Sequence, residues 1–126
     1  MIRAAIQLIR DYWVLLSLLL LTLIVVLSLT PLSKLPSISG SDKVHHFIAY
    51  SVLSLPLMLK KPRYWFAVLL IFTVLSGAIE VIQPYTSRYG DWLDLYTNIG
   101  GLFCGSILAY FINWCSPAPR LIINNQ

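Results

Sequence analysis

Residues 13–30 read WVLLSLLLLTLIVVLSLT, an almost unbroken run of Leu, Val and Ile without a single charge. As a helix this run extends roughly 27 Å at about 1.5 Å per residue, close to the ~30 Å hydrocarbon core of a bilayer. It has no polar face, so it cannot lie on the surface of a water-soluble domain. Further apolar stretches occupy residues 42–59, 64–83 and 92–114. Of the 126 residues, 58% are hydrophobic and only 11% charged, whereas a soluble domain keeps about a quarter of its residues charged. The expectation is an all-α, polytopic membrane protein with four transmembrane helices. Residues 1–126 then form a single membrane domain, with no room for a separate soluble catalytic domain. Any chemistry has to be built from the spans and their short loops.

The punctuation agrees. Arg3 and Arg10 before the first run raise the possibility of a cleaved leader, but the run is long for one. Leu29-Thr30-Pro31 offers no small-x-small cleavage pattern, so an uncleaved first span is expected. Pro31 and the stretch from Pro36 to Ser41 form a loop, with Ser41 or Asp42 suited to cap the next helix. That helix stops at Lys60-Lys61-Pro62-Arg63, and the third ends at Pro84. Cys104 and Cys115 lie roughly 16 Å apart along one helix, too far for a bridge.

Orientation is read from the basic residues. With four spans, Arg3, Arg10, Lys60, Lys61, Arg63 and Arg120 fall on one side, and Lys34, Lys43 and Arg88 on the other. The positive-inside rule places both termini in the cytoplasm. The net charge of +4 is thereby explained by topology. The basic residues form no continuous stripe, so no nucleic-acid partner is expected. The expected partner is the lipid bilayer.

Four of the five acidic residues, Asp42, Glu80, Asp91 and Asp94, lie toward the outer side, with His45, His46, Gln83, Arg88 and Asn98. Counting from the inner boundary puts His46 roughly 21 Å up and Glu80 and Asn98 each roughly 24 Å up, so all three should sit about one turn below the outer surface. Asp42, His46 and Ala49 share one helix face; Thr73, Ser76, Gly77, Glu80 and Gln83 share a second; Asp94, Asn98, Gly101 and Gly105 share a third. Gly101-x-x-x-Gly105 permits close helix approach. Polar groups are costly against lipid, so these faces should converge on a pocket opening to the outer leaflet. Simpler roles compete: acids in first helical turns complement the helix dipole, and Lys43 or Arg88 can pair with neighbouring carboxylates.

Such a cluster suggests particular chemistry. His46 is the leading acid/base group, with Asp42 or Glu80 to orient it. Gln83, Arg88, Asp94 and Asn98 are candidate substrate-binding residues, the Arg88 fork suiting phosphate or carboxylate. Asp42, His46, Glu80 and Asp94 could together hold a divalent metal, although no ligand motif of known spacing is present. No Gly-rich phosphate loop, nucleophile elbow or redox dithiol occurs, and no cofactor is legible.

The assembled residues, Asp42-Lys43-x-x-His46-Phe47-x-x-Tyr50, Glu80-x-x-Gln83, Arg88 and Asp94-x-x-x-Asn98-x-x-Gly101, resemble the VanZ-like family of bacterial membrane proteins over about residues 41–112. The resemblance selects His46 over His45. It implies a role at the bacterial cell envelope, in the inner membrane. The family takes its name from a member associated with low-level resistance to teicoplanin; its biochemical activity is unsettled, and no residue here reads out an antibiotic. The leading expectation is a pocket that binds, and acts upon, a lipid or cell-envelope precursor. The competing readings are a non-enzymatic membrane partner or chaperone, whose polar cluster only locks the helices, and an ion- or proton-coupled transporter. The apolar character of the spans below the cluster disfavours the last.

Overall fold

The computed structural model describes residues 1–31, 42–86 and 91–120. Five α-helices account for most of them: α1 (Ile2–Asp11), α2 (Trp13–Leu29), α3 (Asp42–Lys60), α4 (Trp65–Ile82) and α5 (Trp92–Cys115), with a 3-10 turn at Gln83–Thr86 after α4. No strand occurs among the described residues. By length and composition α4 with its 3-10 turn and α5 can each cross a bilayer, and α1 with α2 makes a third if the pair is one bent span. Only 22% of the most apolar window of α4 and 28% of that of α5 is buried within the protein. Val74, Phe103, Phe111 and Trp114 point away from the bundle, so this apolar surface requires a lipid cover.

The N-terminal segment departs from expectation. It forms a separate helix, α1, bent 79° from α2 at Tyr12. The pattern was present: Ile2, Ile6 and Ile9 recur at helical spacing against Arg3, Gln7 and Arg10. Arg10 is also more than an orientation mark. It is 3% exposed, and its guanidinium donates to Leu59 O at 3.3 Å, Asn113 Oδ1 at 2.7 Å and Ser116 O at 2.6 Å. Asn113 Nδ2 donates to Met58 O at 3.1 Å. One buried cation thus satisfies carbonyls at the C-terminal ends of both α3 and α5, where each helix dipole is negative.

Those two helices run parallel and in register. Their contacts step evenly from Lys43 with Asp94, through His46 with Asn98, to Met58 with Asn113. Two glycines set the spacing. A Cβ on Gly101 would fall 2.5 Å from Phe47 O, and one on Gly105 would collide with Ser51 O and Ser54 Oγ. The backbones meet directly there, as the Gly-x-x-x-Gly spacing predicts. Beside this seam Tyr50, Leu53, Leu57, Phe72, Ile79, Leu102 and Ile24 form the apolar core. α3 stops at Lys61, whose positive φ of 49° and N–H bond to Leu57 O at 2.7 Å make a left-handed cap, followed by Pro62.

Candidate functional site

Because α3 and α5 are parallel, their N-termini lie together at one end of the bundle. The polar stripes converge there in two layers. The deeper layer is a chain of side chains across three helices. His46 Nδ1 lies 3.2 Å from Asn98 Oδ1, and Asn98 Nδ2 donates to Ser76 Oγ at 2.7 Å. All three residues are buried. Tyr50, one turn along α3 from His46, approaches Ser76 from the core side.

The outer layer is acidic. Lys43 Nζ lies 3.1 Å from Asp91 Oδ2 and 3.3 Å from Asp94 Oδ1, so the simple pairing expected for Lys43 does occur. Asp91 caps α5, its Oδ1 accepting from Leu93 N at 2.9 Å. That N–H, and then Lys43, hold the Asp91 carboxyl below its ordinary value. His46 Nε2 faces Asp42 Oδ2 at 3.7 Å. Glu80 Oε2 accepts from Asp91 N at 3.2 Å, while Oε1 is buried and has no hydrogen-bond partner among the described residues. Asp94, Asp91 and Asp42 are all near enough to act on Glu80 electrostatically.

The expected common depth of His46, Glu80 and Asn98 is therefore refined. Asn98 meets Ser76, one turn below Glu80 on α4, and Glu80 meets Asp91, roughly 10 Å along α5 from Asn98. Gln83 turns aside: its Nε2 donates to Ser28 O on α2 at 3.1 Å, and its Oε1 is buried without a partner among the described residues. Arg88 and Ser41 lie outside the described residues. His45 is half-buried, and it is His46 that enters the cluster. A cleft of about 210 Å³ lined by Glu80, Val81, Pro84, Asp91 and Trp92 opens beside the outer layer. Asp42, His46 and Asp94 each bring one ligand atom to within 4.8 Å of the others. Glu80, the fourth member of the expected metal set, is not in that group. Ser76 was legible only as part of a small-residue stripe; its hydroxyl proves to be the partner that orients Asn98.

The VanZ/LLP1 family profile matches residues 5–113. This chain belongs to the VanZ/LLP1 family. The match takes in most of α1 and all of α2, which the motif resemblance had omitted, so Arg10 with its acceptor Asn113 and the polar cluster both lie within the family region. No curated protein and no solved structure matches the chain.

Proposed function

We propose that this VanZ/LLP1 protein binds the head group of a lipid or lipid-linked cell-envelope precursor where α3 and α5 begin. In this reading the chain crosses the inner membrane four times, with both termini cytoplasmic and the polar cluster facing outward. Several features support it. α3 packs along α5 in register, so a bilayer crossed by α5 also encloses α3, whose His46, Tyr50 and Ser54 turn inward. The greater number of basic residues lies at the opposite end. The observation that carries the binding proposal is Glu80: a carboxylate 5% exposed, with one oxygen lacking a hydrogen-bond partner among the described residues, in the wall of a cleft otherwise lined by Val81, Pro84, Trp92 and the acidic Asp91. Apolar walls beside polar groups suit an amphiphile. His46, Asp42 and Glu80 are the acid/base candidates toward that ligand. Asp94, Asn98 and Gln83 shape the site, and Arg88 is the proposed anion contact.

Native mass spectrometry of the purified protein tests this directly. A lipid or precursor should co-purify with the wild type and be lost from folded His46→Ala and Arg88→Ala variants. The alternative, a cluster that only locks three helices, is favoured by the His46–Asn98–Ser76 chain and predicts that His46→Ala unfolds. Single cysteines near residues 37 and 88, in a background lacking Cys104 and Cys115, should label from outside the cell; failure at both overturns the orientation.

A further inference from the structure

The hydrogen-bond chain beneath the acidic layer decides which ring nitrogen of His46 donates to Asn98. Asn98 spends its Nδ2 on Ser76, so the atom it presents to His46 Nδ1 is its carbonyl oxygen, 3.2 Å away. A carbonyl only accepts, so Nδ1 must carry the proton. In the neutral ring Nε2 is then a bare lone pair. That lone pair belongs to a buried side chain and faces Asp42 Oδ2 at 3.7 Å, beyond hydrogen-bond reach, with Asp94 completing the group within 4.8 Å. Two carboxylate oxygens and an imidazole nitrogen turned on one point make the donor set of a cation site, beside the Lys43 ammonium that already meets Asp94. A histidine whose other nitrogen donates to an oxygen acceptor is also the usual arrangement of a metal ligand.

We propose that Asp42, His46 and Asp94 bind one divalent transition-metal ion, with Asn98 as the positioning residue that holds the imidazole in its ligating tautomer. One nitrogen and two carboxylate oxygens suit borderline Zn2+, and after it the harder Mn2+, better than Ca2+ or Mg2+, because an imidazole takes the place of an oxygen ligand. Three protein ligands leave a position open. The Asp42 side chain is 58% exposed, so the open side faces out of the bundle. Lys43 engages Oδ1 of Asp94 through a flexible stem and can give way. The ion answers a difficulty in the proposed function: an acidic layer repels an anionic head group, whereas a metal-filled one attracts its phosphate oxygens. The inference rests on reading the cluster as a ligand site, and its test needs no lipid.

The full-length protein in detergent, stripped with EDTA, is titrated calorimetrically with Zn2+ and with Mn2+, and its bound metal is counted by mass spectrometry. One ion per chain is expected, with Mg2+ and Ca2+ far weaker. Asp94→Asn and His46→Gln should lose binding while keeping helical circular dichroism and a monodisperse elution profile; Asp11→Asn, at the end of α1 far from the triad, should retain it. Asn98→Leu should weaken binding by roughly 10–100-fold, and Asn98→Asp, which still accepts from Nδ1, should restore most of it. Nitrogen NMR of labelled histidine should show His46 protonated at Nδ1 and metal-bound at Nε2. A folded wild type that takes up no ion overturns the site, as does full affinity in Asp94→Asn and His46→Gln. Lipid retention without metal defeats this inference alone; metal without lipid defeats the proposed ligand class and leaves the ion.

Discussion

Replacing Arg10 with Ala should weaken the whole bundle, although Arg10 lies at the end opposite the polar cluster. The guanidinium donates to Asn113 Oδ1 at 2.7 Å and Ser116 O at 2.6 Å, and more weakly to Leu59 O at 3.3 Å. Charge-assisted bonds are worth about 1.5–3 kcal/mol each, so the two short ones set a ceiling of about 6 kcal/mol. Both bonds are only part-buried, so water recovers some of that loss in the variant. The dipole ends of α3 and α5 lose a cation worth about 0.3–1 kcal/mol each. The expected net cost is about 2–4 kcal/mol. Arg10→Lys keeps the charge but cannot bridge two helix ends with one planar fork, and should recover about half. The assay is reversible unfolding in mixed micelles, followed by circular dichroism. A change below about 0.5 kcal/mol for Arg10→Ala would show that the clasp contributes nothing net.

Three further substitutions probe the same bundle. Gly105→Ala places a methyl against Ser51 O and Ser54 Oγ; the Ser51 backbone cannot yield locally, so α3 and α5 must separate, at about 1–3 kcal/mol. Gly77→Ala meets nothing within 4 Å and should be neutral or stabilising by up to about 1 kcal/mol, both being read in the same unfolding assay. The Asp91 carboxyl is held below its ordinary value of 3.8 by the Leu93 N–H and then by Lys43. Its contribution is therefore complete above that value and disappears as pH falls through the lower folded one. Melting curves of wild type and Asp91→Ala should converge on acidification below about pH 4, and a constant gap down to pH 2 would contradict the cap.

The sequence reached the helices and the convergence of their polar faces because both rest on local patterns. Apolar runs, proline stops and residues spaced at i, i+4 and i+7 carry that information without reference to the rest of the chain. The partners were harder. Nothing near Arg10 announces that its acceptors lie on Leu59, Asn113 and Ser116, because a tertiary contact leaves no periodicity. Gln83 makes the same point: it shares a face with Glu80, yet its amide reaches Ser28 O on α2, a contact that no local spacing announces. Counting at 1.5 Å per residue from the helix ends was good to about one turn. That sufficed to gather Glu80, His46 and Asn98, but not to separate the Glu80–Asp91 layer from the His46–Asn98–Ser76 layer beneath it.

Parallel packing of α3 and α5 gives the bundle an electrical sense, since both positive dipole ends meet at the cluster and both negative ends at Arg10. The dipoles stabilise Asp91 and Asp94 in their first turns. They do not explain Glu80, which sits near the end of α4, where a helix dipole disfavours an anion. Glu80 also faces Asp94, Asp91 and Asp42. A carboxylate in that position costs the empty protein stability, as groups kept for a ligand commonly do. Glu80→Gln tests the point, because its amide oxygen can still accept from Asp91 N–H while the charge is removed. In EDTA the variant should be more stable than wild type by at least about 1 kcal/mol, and its retention of co-purified lipid should fall. If Glu80 belonged to a purely structural lock, the substitution would instead weaken the fold by a similar amount, and the unfolding curve alone would decide between them.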